Sequence, residues 1–425
     1  MTKRALIVGM LAALLLASCG EDVTQPSKLR NRINLFFKEC MDSYYYWAEH
    51  MPDVDPNDYA DPYALMEALR YKPLDKWSYV TSRTELEAYY SGASYAGFGY
   101  ASGFNANGDY IISYVYPQAP MRQQHGVTRG WRILAIDGTK PTRDNLSSLL
   151  GGNEVGLQRT FLFLKPTGDT VEHVLTKTNV KVNTVIDTTV RTYGTAKVGY
   201  FMLSGFIEPT EQELIDVFAD FKAKGINELV VDLRYNGGGL VKVSNTLGNL
   251  IAGTHTHGRV YCTFYHNDRN RHRDTCLHFR NMPDSSLSLS RVAFITSEGS
   301  ASASELLINS LTPFIDVHCV GQRTHGKPVG MYTITPNNAA IDWAFVPICF
   351  TLRNAEGYGD YFDGLPVERE ANDDVYHALG TPEEECMAAA LAALGISTGA
   401  KAPAFRAPRF TPLKLHGLEA EIGAK

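Results

Sequence analysis

Three serines and a lysine define the chemistry open to this chain. The serines stand in Gly299-Ser300-Ala301-Ser302-Ala303-Ser304-Glu305 and the lysine in Gly326-Lys327. The serine run follows a strand-like stretch, Val292-Ala293-Phe294-Ile295-Thr296, and opens a helix-like one, Glu305-Leu306-Leu307-Ile308-Asn309-Ser310-Leu311. A hydroxyl on a tight strand-to-helix turn lies close to backbone N–H groups and to the positive end of a helix. The same donors can stabilise an oxyanion, so the setting suits an acyl-transfer nucleophile. A lysine serving as its base must titrate about 3 units below its usual value, and burial under apolar strands can bring that about. The pair reads as a Ser-Lys hydrolase. Ser302-Ala303-Ser304-Glu305 also fits the capping box S-x-x-E, which satisfies orphan N–H groups at a helix start without any catalysis.

Two further segments must position such a pair. In Leu229-Val230-Val231-Asp232-Leu233-Arg234-Tyr235-Asn236-Gly237-Gly238-Gly239-Leu240, a β-branched apolar run reads as a buried strand that ends in a glycine turn. The amphipathic stretch Val241–Ala252 then reads as a helix. Consecutive glycines allow close backbone approach and can turn N–H groups inward. No G-x-G-x-x-G or G-x-x-x-x-G-K-[ST] spacing is present, so the turn is not read as a nucleotide site. In Gly321-Gln322-Arg323-Thr324-His325-Gly326-Lys327-Pro328-Val329-Gly330, a turn after a short strand carries the lysine. Using His325 or another histidine as the base of a Ser-His-Asp triad lacks the support of a G-x-S-x-G elbow.

Taken together, the chain resembles the C-terminal processing peptidases, also called tail-specific proteases. The resemblance rests on Asp232-Leu233-Arg234-x-Asn236-x-Gly238-Gly239, on Ser300-Ala301-Ser302-Ala303-Ser304-Glu305 and on Gly326-Lys327. In that family the nucleophile and lysine lie 25 positions apart, and 327 − 302 = 25 singles out Ser302. The resemblance implies that Ser302 is the nucleophile and Lys327 the general base. The Ala303 N–H and a glycine of the Gly238-Gly239 pair would form the oxyanion hole, with no metal or organic cofactor. It also implies a multidomain α/β fold, with a crotonase/ClpP-like catalytic core over residues 180–394. Asp363-Gly364-Leu365-Pro366 resembles the closing segment of that domain. Two positions depart from the pattern. Met331 stands where many members carry a glutamine four residues after the lysine, and Pro313 where some carry an aspartate. This leaves Thr324, a backbone carbonyl or no group to orient Lys327, and it keeps a non-cleaving, peptide-binding lipoprotein scaffold as the alternative function.

Residues 86–177 resemble a PDZ domain. Gly97-Phe98-Gly99-Tyr100 resembles the loop that takes a peptide's terminal carboxylate, and Gly130-Trp131-Arg132-Ile133-Leu134-Ala135-Ile136-Asp137-Gly138 follows the usual run, with Trp131 in place of an acidic residue. Such domains bind an extended C-terminus as an added strand, so polypeptides are the expected partners. Residues 31–82, rich in aromatics, read as a small helical domain. At the start, Lys3-Arg4 precede an apolar stretch too short to span a bilayer, ending in Leu16-Ala17-Ser18-Cys19. This resembles a bacterial lipobox. Residues 1–19 are thus expected to be a lipoprotein signal peptide with Cys19 as the lipidated residue, residues 20–30 a tether, and the protein a lipid-anchored component of the cell envelope. Residues 398–425 read as a tail without a clear period.

The composition agrees with several folded cores: 44% of the 425 residues are hydrophobic and 20% charged. A net charge of −6 offers no basic face for nucleic acid. Six cysteines remain besides Cys19. A Cys262–Cys276 bridge across a hairpin and a Cys319–Cys349 bridge are both open, while the spacing of Cys262, His266, His272, Cys276 and His278 matches no standard zinc pattern. Oligomeric state is not legible.

Overall fold

A computed structural model describes residues 26–92, 94–338, 340–398 and 408–413. The signal-peptide and lipobox expectations for residues 1–19, Cys19 included, lie outside the described residues.

The N-terminal segment forms α1 (Pro26–Tyr44), α2 (Pro62–Leu69), the short strand β1 (Tyr79–Thr81) and α3 (Arg83–Tyr90). Asp61 and Ser82 begin α2 and α3 by accepting the N–H three residues on. The aromatic cluster seen in the sequence is core: Phe37, Tyr45, Trp47 and Trp77 are buried together with Leu65 and Leu69. That core is not closed on itself. It includes Val329, Phe345 and Ile348 from the far end of the chain, with Phe37 stacked on Phe345 at 4.5 Å.

The next segment carries β2 (Tyr95–Gly97), β3 (Tyr100–Asn105), β4 (Tyr110–Val115), α4 (Pro120–Gln123), β5 (Arg132–Ile136), α5 (Leu146–Leu150), β6 (Gln158–Leu164), β7 (Thr170–Thr176) and β8 (Thr178–Val180). Strands β3 to β7 form an antiparallel meander, and β2 pairs with β8 at its base. Trp131 is buried against Phe163, which gives an apolar reason for its replacing an acidic residue.

The remainder is an α/β layer structure. It comprises β9 (Val185–Tyr193), β10 (Ala196–Leu203), α6 (Thr210–Ala223), β11 (Glu228–Asp232), α7 (Val241–Ala252), β12 (Val260–His266), β13 (Thr275–His278), β14 (Arg291–Thr296), α8 (Ala303–Leu311), β15 (Asp316–Gly321), β16 (Val329–Met331), β17 (Ala344–Val346), β18 (Ile348–Arg353), β19 (Arg369–Glu370) and α9 (Glu385–Ala393). The main sheet runs β19-β15-β14-β11-β10-β9 and is parallel except for the β9–β10 pair. Its strands are apolar on both faces, as a covered parallel sheet requires. Val198, Tyr200, Met202, Val230, Ala293 and Ile295 face α9 and the meander domain, while Phe201, Leu203, Val231, Val292 and Phe294 face α6, α7 and α8. An antiparallel sheet, β13-β12-β18-β16, borders the second face, and β17 pairs with β1 to tie in the N-terminal domain.

Cys262 is buried and pairs with Leu277, whereas Cys276 is exposed and pairs with Thr263. The two therefore point to opposite faces of the hairpin, and the six described cysteines are free thiols. The tail contributes one more strand, β20 (Phe410–Pro412), which adds to the edge of β3.

Candidate active site

The site is built where β11, β14 and β15 end, and buried polar groups hold the three loops that leave them. Asp232 closes β11. Its carboxylate accepts from Tyr200 Oη at 2.8 Å and from Arg234 Nε at 3.0 Å. Arg234 is fully buried and also donates to Glu384 at 2.8 and 3.0 Å and to Asp373 at 2.9 Å. A guanidinium out of water is tolerable only when its donors are met, and this fork meets three carboxylates. Arg129 of the meander domain joins through Asp373 at 2.6 Å and Tyr235 Oη at 2.9 Å. The Asp-Leu-Arg run is thus a brace for the glycine turn behind it.

Hydroxyls of the serine run then fasten that turn to its neighbour. Ser300 Oγ donates to Leu233 O at 2.7 Å, Ser304 Oγ to Asn236 O at 3.0 Å, and Ser297 Oγ to Arg234 O. Ser302 is different. Its hydroxyl donates to no other described residue, and it is half-buried where Ser300 and Ser304 are fully buried. Its backbone stands at φ 55°, ψ −113°, a region that non-glycine residues rarely adopt and that clusters at functional sites. Geometry therefore selects the same serine as the spacing of 25.

Gly238 lies against it. A Cβ there would stand 2.8 Å from Ser302 Cβ and 3.0 Å from Ala303 N, and its φ of 111° already favours glycine. Its N–H is used, donating to Asn236 Oδ1 at 2.9 Å. Gly239 sits with φ 134° on the Phe206 carbonyl. The N–H groups of Gly239 and Ala303 have no acceptor among the described residues, Ala303 being the first residue of α8.

Glu305 joins this loop to the lysine loop. It is fully buried in the first turn of α8. One carboxylate oxygen accepts Ser302 N–H at 2.9 Å and Lys327 N–H at 2.8 Å. The other accepts Thr324 Oγ1 and Gly326 N–H, each at 2.6 Å. Burial raises its pKa, and these four donors offset part of the rise. The capping box is therefore present, and the same carboxylate serves a second loop. Thr324, one of the groups left open for orienting Lys327, instead donates to Glu305 and accepts the Leu365 N–H at 2.7 Å.

Lys327 is 4% exposed, and its ammonium has no hydrogen-bond or ion-pair partner among the described residues. Burial lowers its pKa from 10.5 to about 8, while the more distant charges of Asp75 and Glu305 act in the opposite direction. Asp75 belongs to the N-terminal domain, held by Tyr45 Oη at 2.8 Å and by the N–H groups of Trp77 and Ser78. Beside it, Trp77 Nε1 donates to His325 Nε2 at 3.0 Å. Met331 sits in β16, packed into the apolar clusters of the N-terminal domain.

Gly97, Phe98, Gly99 and Tyr100 lie apart from these loops, between β2 and β3. Phe98 is buried against Phe161 at 5.0 Å, so the segment could offer a ligand backbone groups rather than that ring. Gly99 takes φ 83°, with Ala119 where its Cβ would stand.

The fold and site define a multidomain α/β protein that places a strained serine and a buried lysine on adjoining loops. Residues 197–341 match the model for peptidase family S41, and residues 32–79 match the peptidase S41 N-terminal domain. The chain is 28% identical over 205 residues to the carboxy-terminal processing protease CtpB of Bacillus subtilis, covering 43% of this chain and 40% of that protein. It is 26% identical over 205 residues to the carboxyl-terminal-processing protease of a Picosynechococcus species, covering 48% and 47%. It thus spans less than half the length of either relative. The fold is that of a Bacteroides fragilis crystal structure described as an S41 protease, with a TM-score of 0.73 and 24% identity over 85% of this chain and 97% of that one. The two S41 domain matches and the two processing-protease relatives support the C-terminal processing peptidase family for this chain.

Proposed function

We propose that the protein is a serine endopeptidase that cleaves polypeptides near their C-termini by a Ser-Lys mechanism, anchored by lipid at Cys19 in the bacterial cell envelope. The observation that carries this reading is the shared Glu305 oxygen, which holds the backbones of Ser302 and Lys327 against one atom. The Ser302 hydroxyl donates to no other described residue and Lys327 has its pKa brought to about 8, so a usable fraction is neutral at ordinary pH.

In this mechanism Lys327 Nζ takes the proton from Ser302 Oγ as the oxygen attacks the scissile carbonyl. The tetrahedral oxyanion accepts from the N–H groups of Ala303 and Gly239, the two donors with no partner of their own. Gly238 supplies the close approach and leaves its N–H on Asn236. Lys327 returns the proton to the leaving amine, and water then cleaves the acyl-enzyme with Lys327 again as base. None of these steps calls on a metal or cofactor. The meander domain, read as a PDZ domain over residues 86–177, would present the substrate through Gly97–Tyr100 and the β3 edge.

A second reading, a peptide-binding scaffold with impaired catalysis, draws on the apolar seat of Met331, which gives Lys327 no polar partner from β16. Cleavage of an unstructured polypeptide by residues 20–425 separates the two, comparing wild type with Ser302→Ala and Lys327→Ala and reading peptide ends by mass spectrometry. The peptidase reading expects cleavage lost in both variants. A folded wild type that binds the polypeptide and cuts nothing would support the scaffold.

A further inference from the structure

Strand β20 is unusual in its place rather than its length. It adds antiparallel to the outer edge of β3, with Phe410 opposite Asn105, Thr411 opposite Phe104 and Pro412 opposite Gly103. Backbone hydrogen bonds extend the ladder at both ends: Ala106 N–H donates to Arg409 O and Leu413 N–H to Ser102 O, each at 2.9 Å. The seat is close. A Cβ at Gly103 would fall 2.3 Å from Thr411 O and 2.5 Å from the Phe410 ring. Phe410 is buried with Ile111 and Val375, and Leu413 packs at the border of the meander core. At its other end Arg409 reaches within 3.8 Å of Glu298, in the turn that leads to Ser302.

The polarity of this strand matters most. Numbers rise along β20 as they fall along β3, so the segment runs toward the Gly97–Gly99 loop that precedes β3. A polypeptide docking by strand addition with its C-terminal end toward that loop has the same polarity and needs the same N–H and C=O groups. Both cannot be present. We propose that residues 408–413 are a resident occupant, in cis, of the polypeptide-docking edge of β3, which an extended substrate must displace. The inference rests on the reading of residues 86–177 as the domain that presents substrate.

A tethered competitor acts at a high effective concentration even when its own affinity is weak. Three residues of ladder and one buried ring make a weak strand, so the occupant is displaceable rather than permanent.

The test uses residues 20–425 in a Ser302→Ala background, so that binding is read without turnover. The probe is fluorescein-labelled β-casein, an unstructured polypeptide, followed by anisotropy. Phe410→Asp removes the buried ring, and Leu413→Pro removes the N–H that bonds Ser102 O, so the result does not hang on one variant folding. Amide hydrogen exchange at Phe104 and Ala106 reports release of the strand. The proposal expects faster exchange at these sites and about five- to tenfold tighter casein binding in both variants. It also expects the synthetic peptide Pro-Arg-Phe-Thr-Pro-Leu to reverse the gain. Faster exchange with unchanged or weaker binding would overturn it, because β20 would then be only a structural edge. Unchanged exchange and binding in both variants would overturn it too, since a strand that persists through both changes is not displaceable. Tighter binding by variants whose Ser302 parent cleaves nothing would leave this proposal standing and remove the peptidase reading.

Discussion

Glu305 accepts the backbone N–H of Lys327 at 2.8 Å with the same oxygen that accepts the N–H of Ser302. One buried carboxylate thereby sets the spacing of two loops that β14 and β15 deliver separately. Replacing it with alanine strands four donors in the interior, at a cost of about 1–3 kcal/mol for each group left without water or a partner. Glu305→Ala should lower stability by at least about 3 kcal/mol and abolish cleavage. Glu305→Gln, which keeps the shape but turns an amide N–H toward donors, should fold and lose roughly a hundredfold in kcat with little change in KM. Urea denaturation and steady-state kinetics on both variants check this.

Lys327 makes an opposite prediction for stability. Its pKa is about 8 in the fold against an ordinary 10.5, so the unfolded chain binds more protons between those values. Stability therefore rises with pH across that window, and below it the buried charge is destabilising. Lys327→Met should be inactive yet more stable at pH 7, by at most about 3 kcal/mol, with the gain vanishing above pH ~10.5. Denaturant midpoints at pH 7 and pH 10.5 decide it.

The glycine turn should tolerate no side chain. Gly238→Ala places a methyl 2.8 Å from Ser302 Cβ in a left-handed backbone. Cleavage should fall by about a hundredfold or more while stability drops by only about 1–3 kcal/mol, because the displaced group is Ser302, the proposed nucleophile, rather than the core. A melting curve beside a kcat measurement separates the two effects.

Asp373 carries an acid-dependent share of stability. Burial alone would raise its pKa, but Arg129 and Arg234 hold it below the usual carboxylate range. A carboxylate depressed in the fold stabilises above its unfolded pKa, and that contribution is lost as pH falls through the folded value. Asp373→Asn should cost about 3 kcal/mol at pH 7, where it leaves two guanidinium groups short of an acceptor, and less as pH falls below the ordinary carboxylate range toward pH 3. Urea midpoints at the two pH values test the sign.

Much of this site was legible in the chain because its signals are local. The strands at 229–232 and 292–296, the helix Val241–Ala252 and the serine turn follow from apolar runs, glycines and a capping pattern a few residues long. The roles of Glu305 and Asp75 were not legible. Glu305 reads as a helix cap, and its bonds to Thr324, Gly326 and Lys327 cross 19 to 22 residues of intervening chain. Asp75 acts on Lys327 only because the N-terminal domain docks through Phe345 and Ile348. Composition alone does not separate Ser302 from its neighbours; the spacing of 25 to Lys327 does, and the carbonyls of Leu233 and Asn236, which hold Ser300 and Ser304, give the physical reason. The tail offered no period because a three-residue edge strand needs none.

The central claim is that a buried lysine, and no histidine, takes the proton from Ser302. The pH dependence of kcat/KM on a short unstructured peptide tests it most directly, measured for wild type and His325→Asn. The account predicts activity rising through a single limb at about pH 8, the value burial gives Lys327, with the same midpoint in the variant. A limb near about 6.5, the ordinary range of imidazole, that disappears in His325→Asn would contradict it.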